Sequence, residues 1–227
     1  MKRILLAFVF ITSLVLPLSA AETDSQLYNR LTSAYDSGFY PTVLTLSERI
    51  LSEFLYSQYT ARVHFIRGKS FFRLSRDAEA VNEFDFVVDT NADAAYWQGM
   101  AYYRQKNFES AYKSFCKGLN LLTKEEAANT SADSAGAAFE HDFSKRSLLV
   151  YSAFAADNCN KRDEAAGILE YTLINFNMEE DFQPAVQLLF SIYKDTSNKQ
   201  RLTWLYRQIS GVIECFPKEW SHAMFYY

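Results

Sequence analysis

The sequence predicts an all-α protein, an α-solenoid of about five stacked helical hairpins, and three observations carry that prediction. Ala61, Gly68, Phe71, Ala80, Phe84 and Val87 recur 31 residues later as Ala92, Gly99, Tyr102, Ala111, Phe115 and Gly118. Self-similarity at a fixed short period is the mark of stacked supersecondary units. A constant 12 residues separates a first-helix site from a second-helix site in Leu31/Val43, Gly68/Ala80, Gly99/Ala111, Ala153/Ala165 and Phe190/Leu202. The second-helix sites themselves are 37, 31, 54 and 37 residues apart, so length varies between hairpins, where surface connections tolerate it. Finally, 7 Gly and 4 Pro in 227 residues are too few for the tight turns of a sheet protein of this size.

In chain order, residues 1–21 read as an export signal: Lys2 and Arg3, then an apolar run from Ile4 to Leu18 interrupted by Pro17, then Ser19-Ala20-Ala21 before Glu22. The run is shorter than the roughly 20 residues a membrane-crossing helix needs. Cleavage after Ala21 is expected, and with no Cys near the cut no lipid is expected. Without Lys2 and Arg3, 21 of the 23 basic residues remain against 27 acidic ones, near −6. That balance argues against nucleic acid, whose binding rests on many Lys and Arg contacts to phosphate. No later apolar run is long enough to span a membrane, so the expected location is extracytoplasmic: periplasmic or envelope-associated, with secretion as the other outcome.

The repeat region is expected over 22–210. Its first hairpin places Leu27, Leu31, Ala34 and Tyr35 against Val43, Leu46, Ile50 and Leu51, with Gly38 at the turn. In the second and third, Gly68 and Gly99 stand inside helices, where Gly costs about 1 kcal/mol relative to Ala. Close approach of the paired helix, with Ala80 and Ala111 as small partners, is the expected compensation. The 54-residue step carries an insertion at about 125–142, rich in Ala, Ser, Asn and Asp, read as an exposed loop or, on its alanines, a short helix. The fourth hairpin is expected over Ser144 to Asn175. The fifth runs from Phe182 to Ser210, with Pro184 at a helix start, where its missing N–H costs nothing. Residues 211–227 are a C-terminal helix or the opening of a sixth hairpin.

The small-then-aromatic pattern of the two best units, Gly68 and Phe71 with Ala80 and Phe84, then Gly99 and Tyr102 with Ala111 and Phe115, resembles the tetratricopeptide repeat (TPR) family. With the export signal, the chain looks like an extracytoplasmic bacterial TPR protein. The resemblance implies a right-handed superhelix whose first helices line a concave groove that binds protein segments. Carried over position by position, the groove residues are Arg62, Phe65, Lys69, Phe72 and Arg73, then Asp93, Tyr96, Met100, Tyr103 and Arg104. The divergent first unit adds Tyr28, Thr32 and Tyr35. Aromatics and Arg are the residue types enriched at binding hot spots. Arg73, Tyr96, Tyr103 and Arg104 are expected to face solvent and ligand, whereas Phe65 and Phe72 have packing between hairpins as a competing role.

The functional expectation is a secreted or periplasmic scaffold for protein–protein interaction, with no catalytic residues and no cofactor or metal. A small-molecule binder with an aromatic pocket is the alternative, and an enzyme with an unrecognised site is the third class. His64, His141 and His222 stand in no metal-ligand spacing, and no phosphate loop or nucleophile elbow occurs. Cys116 reads as a small core residue. A Cys159 to Cys215 bridge has nothing in the spacing to support it.

Overall fold

The computed structural model describes residues 22–131, 141–176 and 183–210, and over them the chain is helical without a strand. Five hairpins follow one another: α1 (Asp24–Asp36) with α2 (Tyr40–Glu53), α3 (Thr60–Arg73) with α4 (Asp77–Phe84), α5 (Ala92–Arg104) with α6 (Phe108–Ser131), α7 (Lys145–Asn158) with α8 (Arg162–Asn175), and α9 (Gln183–Asp195) with α10 (Lys199–Ile209). The readings of 1–21 as an export signal, of 211–227 as a terminal helix, of the middle of the insertion, and of Cys215 and His222 lie outside the described residues.

One turn, written five times, sets the register. Gly38, Ser75, Lys106, Asn160 and Ser197 all have a left-handed backbone, with φ of 76°, 59°, 60°, 60° and 53°. Each stands five residues before the second-helix site of its hairpin. The residue after each donates its N–H to the carbonyl five residues back: Phe39 to Ala34 O, Arg76 to Phe71 O, Asn107 to Tyr102 O, Lys161 to Ala156 O and Asn198 to Tyr193 O, all at 2.9 Å. This is the Schellman closure, which satisfies carbonyls that the ending helix leaves unpaired. Identical closures reproduce identical register, and all ten sites read from the 12-residue spacing are buried.

Gly68 and Gly99 do mark close approach, but the residues that come near them are aromatic. A Cβ on Gly68 would sit 2.7 Å from the Phe84 ring, and one on Gly99 would sit 2.4 Å from the Phe115 ring. Each glycine is a seat for a fully buried phenyl ring from the paired helix; Ala80 and Ala111, also fully buried, are not the nearest neighbours.

Along the stack α1 meets α3, α3 meets α5 and α7 meets α9, and α5 reaches α7 through the Tyr96 and Tyr151 rings, whereas no two successive even-numbered helices come as close as the first three pairs. Closer approach on one side is curvature, and it puts the odd-numbered helices on the inner face. The insertion departs from the loop expectation at its start. α6 continues through it to Ser131 and reaches 24 residues, because Lys124-Glu125-Glu126-Ala127-Ala128 is a run of strong helix formers. Its far end, His141 and Asp142, returns with Phe143 to the inner face of the array.

Candidate functional site

The inner face is built from residues three, four and seven apart on α3 and α5, which share a helix side. At its centre is Lys69, whose ammonium lies 4.9 Å from the ring centroid of Tyr35, 5.2 Å from Phe65 and 5.7 Å from Trp97. Rings from three successive hairpins thus present their negative faces to one cation. The guanidinium of Arg73 stands 5.5 Å from the Trp97 ring and is otherwise exposed, as is Arg62 about three turns nearer the start of α3.

Several residues expected at the groove surface turn out to hold the array together. Phe72 is 8% exposed and Tyr96 9%, so both belong to the core between hairpins. Tyr96 meets Phe143, Phe115 and Tyr151 at centroid distances of 4.7, 6.3 and 6.3 Å. Tyr103 is wedged against Phe108 at 5.2 Å and Tyr151 at 6.3 Å, and Met100 is partly buried beside the cores on either side. Arg104 is exposed, as expected, but its charge is committed within the array. Its guanidinium lies 3.6 Å from the Phe72 ring centroid, donates to both carboxylate oxygens of Asp77 and donates to the Phe72 carbonyl at 2.7 Å, tying the third hairpin to the second. Tyr28 stacks on Tyr59 at 4.3 Å, and Thr32 is half-buried.

Three residues that the sequence reading did not place in the groove complete the site. Trp97 corresponds, 31 residues on, to Ile66, so the repeat pattern marks it as an aliphatic core position. Asp142 ends the insertion and Phe143 follows it, just before Ser144, the N-cap of α7. The Asp142 carboxylate accepts from Lys69 Nζ at 2.7 Å and from Trp97 Nε1 at 2.9 Å. The Asp142 main-chain N–H donates to Asp93 Oδ1 at 2.7 Å. The His141 ring bridges two carboxylates, with Nδ1 3.2 Å from Asp93 Oδ2 and Nε2 3.2 Å from Glu125 Oε2, and Phe143 stacks on Tyr96 with 20° between the planes.

Electrostatics follow the geometry. Burial works to raise the Asp142 carboxyl, but the hydrogen bonds from Lys69 and Trp97 and the charges of Lys69 and Arg73 outweigh it, and the group titrates below its ordinary value. A carboxyl held lower in the folded state stabilises above its unfolded pKa, about 3.9 for Asp, and that contribution fades as pH falls through the lowered folded value. The Asp142 contacts are therefore expected to persist through neutral and mildly acidic pH. Tryptophan fluorescence of the wild type minus that of Asp142→Asn should stay flat from pH 8 to about pH 5 and change only below about pH 4; a step near neutrality would contradict this. Burial, with Tyr151 and Asp142 nearby, pushes the Tyr96 hydroxyl up to about 12, as suits a core phenol.

Away from this face little suggests chemistry. Among the described residues no group of three or more His, Cys, Asp and Glu is arranged to hold a metal ion, and no described helix is long and apolar enough to cross a membrane. His64 accepts or donates at 2.8 Å to Glu83 and stacks on Phe86. Cys116 and Cys159 are free, half-buried thiols, and burial pushes the titration of both up. A cleft of about 360 Å³ between α8, α9 and α10 is lined chiefly by polar side chains, Glu170, Tyr193 and Arg201 among them.

Helical hairpins stacked in one register, curved so that alternate helices share an inner face, define a TPR-like helical solenoid. No family model and no curated protein matches the chain in sequence, but solved structures share its fold. A crystal structure of MamA protein superposes with a TM-score of 0.62 at 14% identity, over 82% of this chain and 90% of that one. A Podospora anserina putative kinesin light chain with nearly identical TPR-like repeats gives 0.55 at 14% identity, over 84% and 96%. BtubC (BKLC) from P. vanneervenii gives 0.57 at 15%, over 89% and 81%.

Proposed function

We propose that this chain is an exported adaptor that binds a protein segment along the inner face of its odd-numbered helices. The observation that carries the reading is the face itself, where Lys69 and Arg73 converge on the rings of Tyr35, Phe65 and Trp97. Rings and cations of this kind form binding hot spots when a partner excludes water from them. The TPR-like kinesin light chain repeats lend support at the level of fold, and the pattern of residues 1–21 supports export.

The test separates binding from folding. Protein purified from its native envelope is expected to begin at Glu22, and an intact Met1 would overturn the export half. Arg62→Ala with Arg73→Ala, both on exposed parts of the inner face, should shift the thermal midpoint by no more than a degree or two. The same pair should weaken capture of a cross-linked envelope partner by about 1 to 2 kcal/mol for each true hot spot. Equal capture by the wild type and the double variant would move the site off this face.

A further inference from the structure

The centre of the inner face is already filled by the chain's own residues, and the way it is filled has the form of peptide recognition. The geometry points to the subsites of Asp142 and Phe143 as the groove's recognition sites for a partner segment in which an acidic residue is followed directly by an aromatic one, with this chain's own pair holding them until such a segment displaces it. This rests on the reading of the inner face as a protein-binding groove.

Four features argue for it. Lys69 on α3 and Trp97 on α5, from two different hairpins, converge on one carboxylate that comes from 73 and 45 residues further along the chain. Asp93 accepts the main-chain N–H of Asp142, and a carboxylate placed for a main-chain donor serves any peptide threaded through in the same direction. Phe143 lies stacked on Tyr96 beside Tyr151, an aromatic slot one residue on from the cation. Finally, hairpins with steps of 31 and 37 residues close without an insertion, so the register of the array does not require His141 and Asp142, while Phe143 directly precedes Ser144, the N-cap of α7. Donors that select an acidic side chain, an acceptor for the following chain direction and a ring slot together describe a short acidic–aromatic motif.

Because the resident pair is tethered, it competes at a high effective concentration, and the groove of the wild-type chain should bind a free copy of its own segment poorly. The probe is the fluorescein-labelled peptide His-Asp-Phe-Ser-Lys, the sequence of residues 141–145, titrated against the chain from Glu22 onward. The expected result is binding at least tenfold tighter to Asp142→Asn/Phe143→Ala than to the wild type. Adding Lys69→Met to that variant should abolish the gain, and a peptide with Asn-Ala in place of Asp-Phe should bind none of the three. Equal binding to the wild type and the vacated chain, or no binding to a vacated chain whose circular dichroism and melting are unchanged, would overturn the inference. Should the double substitution melt the chain, Asp142→Asn alone must give the same ordering. The adaptor reading is judged separately, by the Arg62/Arg73 capture experiment: loss of capture there with no peptide ordering here leaves an adaptor without a self-occupied site, and the reverse leaves a peptide site without the proposed partner.

Discussion

Replacing Phe115 with Ala should destabilise the array by about 3 to 5 kcal/mol, the range for a fully buried Phe. The ring is wholly excluded from solvent and occupies the seat that Gly99 leaves open, with Tyr96 and Tyr151 centroids at 6.3 and 6.2 Å. No rearrangement closes that void cheaply, because the seat is defined by helix backbone on one side. Gly99→Leu attacks the same contact from the other direction. Its Cβ would fall 2.4 Å from a ring atom, and overpacking of this kind typically costs about 1 to 3 kcal/mol. The double variant Gly99→Leu/Phe115→Ala should cost less than the sum of the two, since the new side chain grows into the space the ring vacates. Urea denaturation of the four proteins measures this, and strict additivity would mean that the two residues do not share one space.

Tyr96→Ala should have the next largest effect, about 3 kcal/mol or more, and it should be an effect on folding. Tyr96 is the ring on which Phe115, Trp97, Tyr151 and Phe143 all converge, joining α5, α6, α7 and the returning insertion. Arg73→Ala on the same face removes one exposed cation–ring contact, a loss of no more than about 1 kcal/mol. Thermal melts of the two variants side by side would show a large drop for the first and almost none for the second. A stable Tyr96→Ala protein would return this residue to the groove surface and reopen its role in binding.

How far the sequence was informative divides along the same line. Register within a hairpin is local: a closure over a few residues fixes which faces meet, so the 12-residue spacing located ten buried sites, including those of units whose residues resemble the repeat pattern poorly. Surface and core on the inner face are decided by contacts between hairpins, which no single unit encodes. Arg104 reads as a groove residue until Asp77, 27 residues earlier, is brought beside it. Trp97 hides because its repeat counterpart is Ile66. The occupation of the groove by Asp142 and Phe143 rests on a return path through a segment whose composition gives no periodic signal at all.

The five matching closures also bear on how such a chain reaches its fold. Contacts that set each hairpin join residues only about a dozen positions apart, so little chain entropy is lost before the first of them forms, and topologies of low relative contact order are the rapid folders. In a linear array any hairpin can nucleate and its neighbours can add to it. A chain appearing N-terminus first can therefore bury Leu27, Leu31, Val43 and Ile50 while α9 and α10 have yet to emerge, and the helices of each hairpin pack mainly on the next one in line, with Lys69 completed later by Asp142.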